Sequence, residues 1–313
     1  MVDAAASVLA RLKNKAIESG RSNQLCLQLF CQEEFLRRLQ RSRFSENFIL
    51  KGGLLIYAVT DFDSRVTVDI DFLLHNIENT PETLRSIIYE IITSDTGNNF
   101  ISFELLKTEP ISLMKIYPGI RATIIARIKN TRTVFNIDFS VGDVIVPKHE
   151  IRKIPTQLEG FESPSVNTYS LETTIAEKLD AILSLMEFSS RMKDYFDIFF
   201  IAHRFDFDGQ ILCNAISKTF KNRNRNYADD CFDHVIEFNV NVAMNEKWVA
   251  FMKKANVRNI SFEEVIRVIN VFLHDITDVA ILGNTFTGHW NASGLQWVQN
   301  NSDDSNNYIG TYH

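Results

Sequence analysis

Between residues 68 and 72 apolar and acidic side chains alternate without a break, as Val68, Asp69, Ile70, Asp71 and Phe72. A period of two predicts a half-buried strand: Val68, Ile70 and Phe72 face a core, and Asp69 and Asp71 stand on the opposite face. The same alternation returns from Val134 to Phe139, where Phe135, Ile137 and Phe139 are interleaved with Asn136 and Asp138. Further short strands are predicted near 102–107, 121–128 and 133–141, with a helix from Pro81 to Ile92. An amphipathic helix from Leu25 to Gln40, its apolar face formed by Leu29, Phe35, Leu36 and Leu39, is expected to brace this lobe. Farther along the chain the period lengthens to that of helices. Leu171, Ile175, Leu179, Ile182, Leu185 and Met186 make one stripe, and Met192, Tyr195, Phe196, Ile198, Phe199 and Ile201 a wide arc on a helix from about Arg191 to Ala202. The expected fold class is α+β. A mixed β-sheet lobe flanked by helices spans 1–165, a mainly helical C-terminal lobe spans 166–313, and the weakly periodic stretch from Thr156 to Asn167 links them.

Chemistry concentrates in the first lobe. Lys51, Gly52 and Gly53 join the apolar run Phe48–Leu50 to the predicted start of a helix at Leu54–Val59. Glycines at such a join admit positive φ and let a phosphate approach the amide donors of the helix N-terminus. Asp69 and Asp71, with Cα atoms roughly 6.5–7 Å apart on one strand face, can flank a divalent ion of the Mg²⁺ type. The plain alternative is an edge strand with two solvated aspartates. If the second strand is a neighbour in the sheet, Asp138 joins them, enough for a two-metal site. Asp143 falls after Gly142 in a predicted turn, so Asp138 is the preferred third carboxylate.

Bulk properties narrow the partners. A net charge of −6 over 313 residues argues against strong non-specific binding of long nucleic acid. The densest basic stretch, Lys218, Lys221, Arg223 and Arg225, reads either as a local RNA-backbone patch or as a solvated loop, and Lys253, Lys254 and Arg258 form a weaker cluster. No run is long enough to span a membrane, and no signal-peptide layout opens the chain. Cys26, Cys31, Cys213 and Cys231 lack framework or zinc spacing, so a cytoplasmic location and no membrane partner are expected. The polar tail Asn300–Asn307 is expected to be disordered.

Five segments, in order and with plausible gaps, carry a resemblance. They are Phe48–Gly53, Arg65–Phe72, Ile137–Asp143, Ala176–Ala181 and Arg191–Asp197. The chain resembles the AbiEii/AbiGii toxin family of nucleotidyltransferases, distant members of the DNA polymerase β-like superfamily. It departs from the pattern at Leu54, where many relatives carry Thr or Ser. The resemblance implies a nucleotidyltransferase-like sheet lobe and metal-dependent transfer of NMP from an NTP, with Mg²⁺ (or Mn²⁺) on Asp69, Asp71 and Asp138. Lys51, Gly52, Gly53, Arg65 and Thr67 would bind the nucleotide. It also implies a Lys and an Asp on the later helices. Lys178 lies inside its apolar stripe, either snorkelling out or reaching triphosphate oxygens. Asp194 lies within the apolar arc and Asp197 at its edge, which favours Asp194 for the role and leaves Asp197 for a cap or salt bridge. A purely structural ion pair is the alternative. The implied acceptor is an RNA, especially a tRNA 3′ end; the implied physiology is that of a toxin with a cognate antitoxin protein. Nucleotidylation or phosphorylation of protein, or a non-catalytic nucleotide-binding scaffold, are the rival readings.

Overall fold

The structure, a computed structural model, describes residues 3–111, 119–228, 230–255, 257 and 260–299. It divides into two compact units, one ending at Ser170 and one beginning at Leu171. The expectations for Arg258 and for the tail at Asn300–Asn307 lie outside the described residues.

The first unit opens with α1 (Ala4–Ser19) and α2 (Asn23–Arg41). Ser22 starts α2 by accepting a hydrogen bond from the Leu25 amide. There follow β1 (Phe48–Lys51), α3 (Gly52–Val59), β2 (Ile70–Leu74) and α4 (Pro81–Thr93), then β3 (Ile101–Pro110), β4 (Ile120–Ile128), β5 (Thr131–Ser140), β6 (Glu150–Lys153) and β7 (Ser165–Thr168). The seven strands form one mixed sheet in the order β3-β4-β5-β2-β1-β7-β6. β2 runs parallel to β5 and antiparallel to β1. The inward face carries Phe48, Phe72 and Phe139, whose rings meet at 5.5–6.2 Å. Helix α2 packs here with Leu29, Phe35, Leu36 and Leu39 all buried.

Two expectations change. β2 begins at Ile70 rather than Val68, and Val68 is 49% exposed. The cause is α2: the side-chain amides of Gln28 and Gln32 both donate to the Val68 carbonyl, which withdraws that residue from the ladder. The presumed linker is also part of the fold. Ser165–Thr168 pairs with β1 and β6, and Leu158 is buried in the core.

The second unit holds α5 (Leu171–Leu185), α6 (Met192–Ala202), α7 (Gly209–Asn222), the short α8 (Asp233–Ile236), α9 (Val242–Ala255) and α10 (Phe262–Ile281). Mainly helical as expected, it adds a three-stranded antiparallel sheet of β8 (Phe207–Asp208), β9 (His289–Asn291) and β10 (Gln296–Val298). Tyr195, Trp248 and Phe262 form one aromatic cluster, and Phe272, Trp290 and Trp297 another. The α5 stripe stops short of its predicted end: Leu185 is exposed and Met186 turns into a left-handed conformation. Among the described residues no helix is long and apolar enough to cross a membrane. The four cysteines are buried.

Candidate active site

The register of four neighbouring strands brings four charges into one row. Lys51 of β1 lies opposite Asp71 of β2, Asp71 beside Asp138 of β5, and Asp138 opposite Arg121 of β4. Registered partners share a face, and neighbouring strands are about 4.8 Å apart. Ile70, Phe72, Ile137 and Phe139 point the other way into the core. The alternation expected from the sequence therefore sets Asp71 and Asp138 side by side on the polar face. Asp69 stands two residues upstream, outside the strand and half-buried.

Both ends of the row are paired. Arg121 grips Asp138 as a fork, with Nε on Oδ1 and Nη2 on Oδ2 at 2.7 Å each. That fork pushes the Arg121 guanidinium pKa further up, and the charges of Asp69 and Asp71 add to it. Lys51 Nζ donates to Asp143 at 2.8 Å and to the Tyr169 hydroxyl at 3.3 Å. Asp143, set aside on sequence grounds as a turn residue, thus sits beside the cradle lysine. Among the described residues no three His, Cys, Asp or Glu side chains are gathered closely enough to hold a metal ion together. The expected convergence of Asp69, Asp71 and Asp138 is a row flanked by cations rather than a ready-made three-carboxylate cage.

The glycine turn fits against this row. Gly52 has φ +72°, and a Cβ added there would lie 2.3 Å from Asp71 Oδ2. One on Gly53 would lie 2.9 Å from Thr67 Oγ1 and 3.5 Å from an Arg65 nitrogen. Gly52, Gly53, Arg65, Thr67 and Asp71 therefore line one crevice, and any side chain at the glycines would fill it. The start of α3 is also left without a side-chain cap, whereas α1, α2, α4, α7 and α10 each have one. An uncapped first turn presents amide donors to an anion.

Lys178, Asp194 and Asp197 form a separate cluster within the second unit. Lys178, 9% exposed, reaches Asp194 at 3.1 Å and Asp197 at 2.5 Å, and Arg191 bonds Asp194 at 2.6 Å. Periodicity set Asp194 above Asp197, but both are buried and both hold the lysine. Burial pushes the Asp194 carboxyl up, yet Lys178 and Arg191 outweigh it and hold the pKa at about 2. The basic stretch near 218–225 is similarly committed. Arg223 and Arg225 pair with buried Asp180, and Tyr227 donates to it. Burial pushes Asp180 up, and these three partners bring it below its ordinary value. Lys218, Lys221 and Arg225 of that stretch are exposed, and Asp180 engages both Arg223 and Arg225.

Sequence reasoning missed Arg121. A signal for it exists: Lys129-Asn130 is a two-residue turn joining β4 to β5, with Lys129 at φ +51°. Counting pairs outward from that turn places Arg121 opposite Asp138.

A glycine-lined, uncapped helix start beside paired strand carboxylates on a mixed sheet defines a nucleotidyltransferase-type α+β protein. The chain belongs to the family described as nucleotidyl transferase AbiEii toxin, type IV toxin–antitoxin system, whose model matches residues 34–268. Two solved structures are similar over 84% of the chain. One is a candidate nucleotidyltransferase from H. pylori, at 14% identity, 96% coverage of that chain and TM-score 0.46. The other is JHP933 from Helicobacter pylori, at 16% identity, 94% coverage and TM-score 0.46. A comparison with curated proteins finds no match.

Proposed function

We propose that the protein transfers NMP from an NTP to an acceptor hydroxyl on RNA, with a tRNA 3′ end as the favoured acceptor, and that it acts as the toxin of a pair with a cognate antitoxin in a reducing cytoplasm. The crevice of Gly52, Gly53, Arg65 and Thr67 against Asp71 carries this reading.

The β- and γ-phosphates would lie against the Gly52 and Gly53 amides, with Arg65 and Thr67 beside them and Lys51 at the adjoining strand end. A divalent ion of the Mg²⁺ or Mn²⁺ type suits the donor set, since Asp69 and Asp71 offer hard oxygens next to the phosphate cradle. Asp138 stands next to Asp71 in the row. When bound, such an ion neutralises charge on the phosphoryl oxygens. The acceptor oxygen forms a bond to the α-phosphorus as the bond to the bridging oxygen breaks. The hydroxyl proton passes to a carboxylate of the sheet, Asp138 being the one beside Asp71, and pyrophosphate leaves. Lys178 and Asp194 keep their place in this reading on the family likeness. Within its own unit Lys178 is paired with Asp194 and Asp197.

The test is transfer from labelled NTPs into total RNA and into protein, followed by sequencing of RNA 3′ ends. Asp71→Asn should lower transfer by about a thousandfold, the size expected when a main electrostatic partner of the reacting phosphate is lost. Its thermal melting should stay within a few degrees of the parent. Undiminished labelling of RNA by Asp71→Asn overturns the assignment, and label found in protein alone selects the protein-directed rival.

A further inference from the structure

The row of strand charges bears on how many metal ions the site takes. Both carboxylate oxygens of Asp138 are already used, each by a different nitrogen of one guanidinium at 2.7 Å. Arg121 is held there by strand register rather than by a mobile loop, because β4 and β5 pair without interruption from Ile120 to Ile128. Arginine keeps its positive charge in proteins, so the guanidinium stays a cation beside Asp138. A divalent ion on Asp138 would have to compete with two charge-assisted bonds and sit beside a fixed positive charge. Asp71, one strand away, has the glycine crevice against its Oδ2, and Asp69 lies two residues upstream. The sequence suggested three carboxylates around two ions. The geometry gives two carboxylates for one ion and a third already matched by a protein cation.

We infer that Arg121 takes the place of a second metal ion, so that the site binds one divalent ion, on Asp69 and Asp71, for each triphosphate. Arg121 is then a positioning residue: it holds the Asp138 carboxylate in place through both oxygens and excludes an ion from it. This rests on the nucleotidyltransferase reading above and adds a stoichiometry to it.

Native mass spectrometry of the full chain tests the count without relying on turnover. The chain is equilibrated with Mn²⁺ and, in separate runs, the α,β-methylene analogues of ATP, CTP, GTP and UTP. The wild-type complex should carry one manganese per bound analogue, and Arg121→Gln should carry two. Arg121→Gln combined with Asp138→Asn should return to one, which places the added ion at Asp138. Two ions on the wild-type chain, or a single ion on Arg121→Gln, overturn the inference and leave the transferase reading standing. Binding of neither manganese nor any analogue by the wild-type chain ends both. Should Arg121→Gln fail to fold, as judged by circular dichroism, the wild-type count alone decides.

Discussion

The two units hold similar charged residues in opposite ways. In the sheet the charges are arranged by strand register and stay partly open to water, with the Asp138 side chain 19% and the Arg121 side chain 35% exposed. In the helices Asp180, Asp194 and Asp197 are each 1% exposed and matched by cations of their own unit. A half-exposed carboxylate exchanges water for a ligand at modest cost, whereas a buried one depends on its partner. The sheet charges are thus partly solvated, whereas the buried helical charges depend on their partners for stability. Breaking that contrast should show first in stability. Lys178→Met leaves two buried carboxylates without their shared cation and should cost about 3–5 kcal/mol in urea denaturation of the full chain. Lys51→Met, whose partner Asp143 keeps some contact with water, should cost less, about 1–2 kcal/mol. Equal shifts for the two variants would erase the distinction.

The glycine crevice sharpens the same comparison from the sheet side. Gly52→Ala places a side chain at φ +72° and drives a Cβ into the Asp71 carboxylate. The conformation alone costs about 1–2 kcal/mol. Displacing Asp71 should lower transfer by about a hundredfold, the scale of an ångström's misplacement at a reacting centre. Gly53→Ala meets the Thr67 hydroxyl at 2.9 Å at ordinary φ, so its effect on both measurements should be smaller. The reverse order would mean that Asp71 does not border the nucleotide.

Much of this was legible in the chain, and particular physics explains the rest. Alternation at Ile70–Phe72 and Phe135–Phe139 placed Asp71 and Asp138 on one face, because period 2 is a local property of extended backbone. It overran at Val68, where two glutamines of α2 intervene from some 40 residues away. Arg121 went unread because its role depends on pairing across strands, although the short turn at Lys129-Asn130 encoded that pairing. Helical periodicity found Lys178 and Asp194 buried. It left Asp197 for a cap or salt bridge, and Asp197 forms one with Lys178, although an angular count did not give the depth at which it lies. The basic run at 218–225 left a patch and a solvated loop both open, and its arginines answer to Asp180, whose burial only the packing of the fold reveals.

The finest test of the contrast is pH, where two buried carboxylates shift in opposite directions. Glu33 on α2 accepts from Arg37 at 3.2 Å and from the Gln157 amide at 2.9 Å. Arg37 is also bonded to Glu34, so it neutralises Glu33 only in part. Burial wins, and the Glu33 pKa rises to about 7. Its contribution to stability is therefore present below the unfolded value near 4.5 and is lost as the pH climbs through 7. Asp194, bonded by both Lys178 and Arg191, has a pKa near 2; its contribution is present above 3.8 and is lost as the pH falls towards 2. Urea midpoints of Glu33→Gln should then fall less steeply than wild type between about pH 4.5 and 7, by at most about 1.4 kcal/mol per pH unit. Asp194→Asn should flatten only the acid limb, between about pH 4 and 2, on the same scale. Parallel curves for Glu33→Gln and wild type from pH 4.5 to 7 would show that Arg37 suffices for both glutamates, and that burial does not set the balance in the sheet unit as it does for an unshared charge.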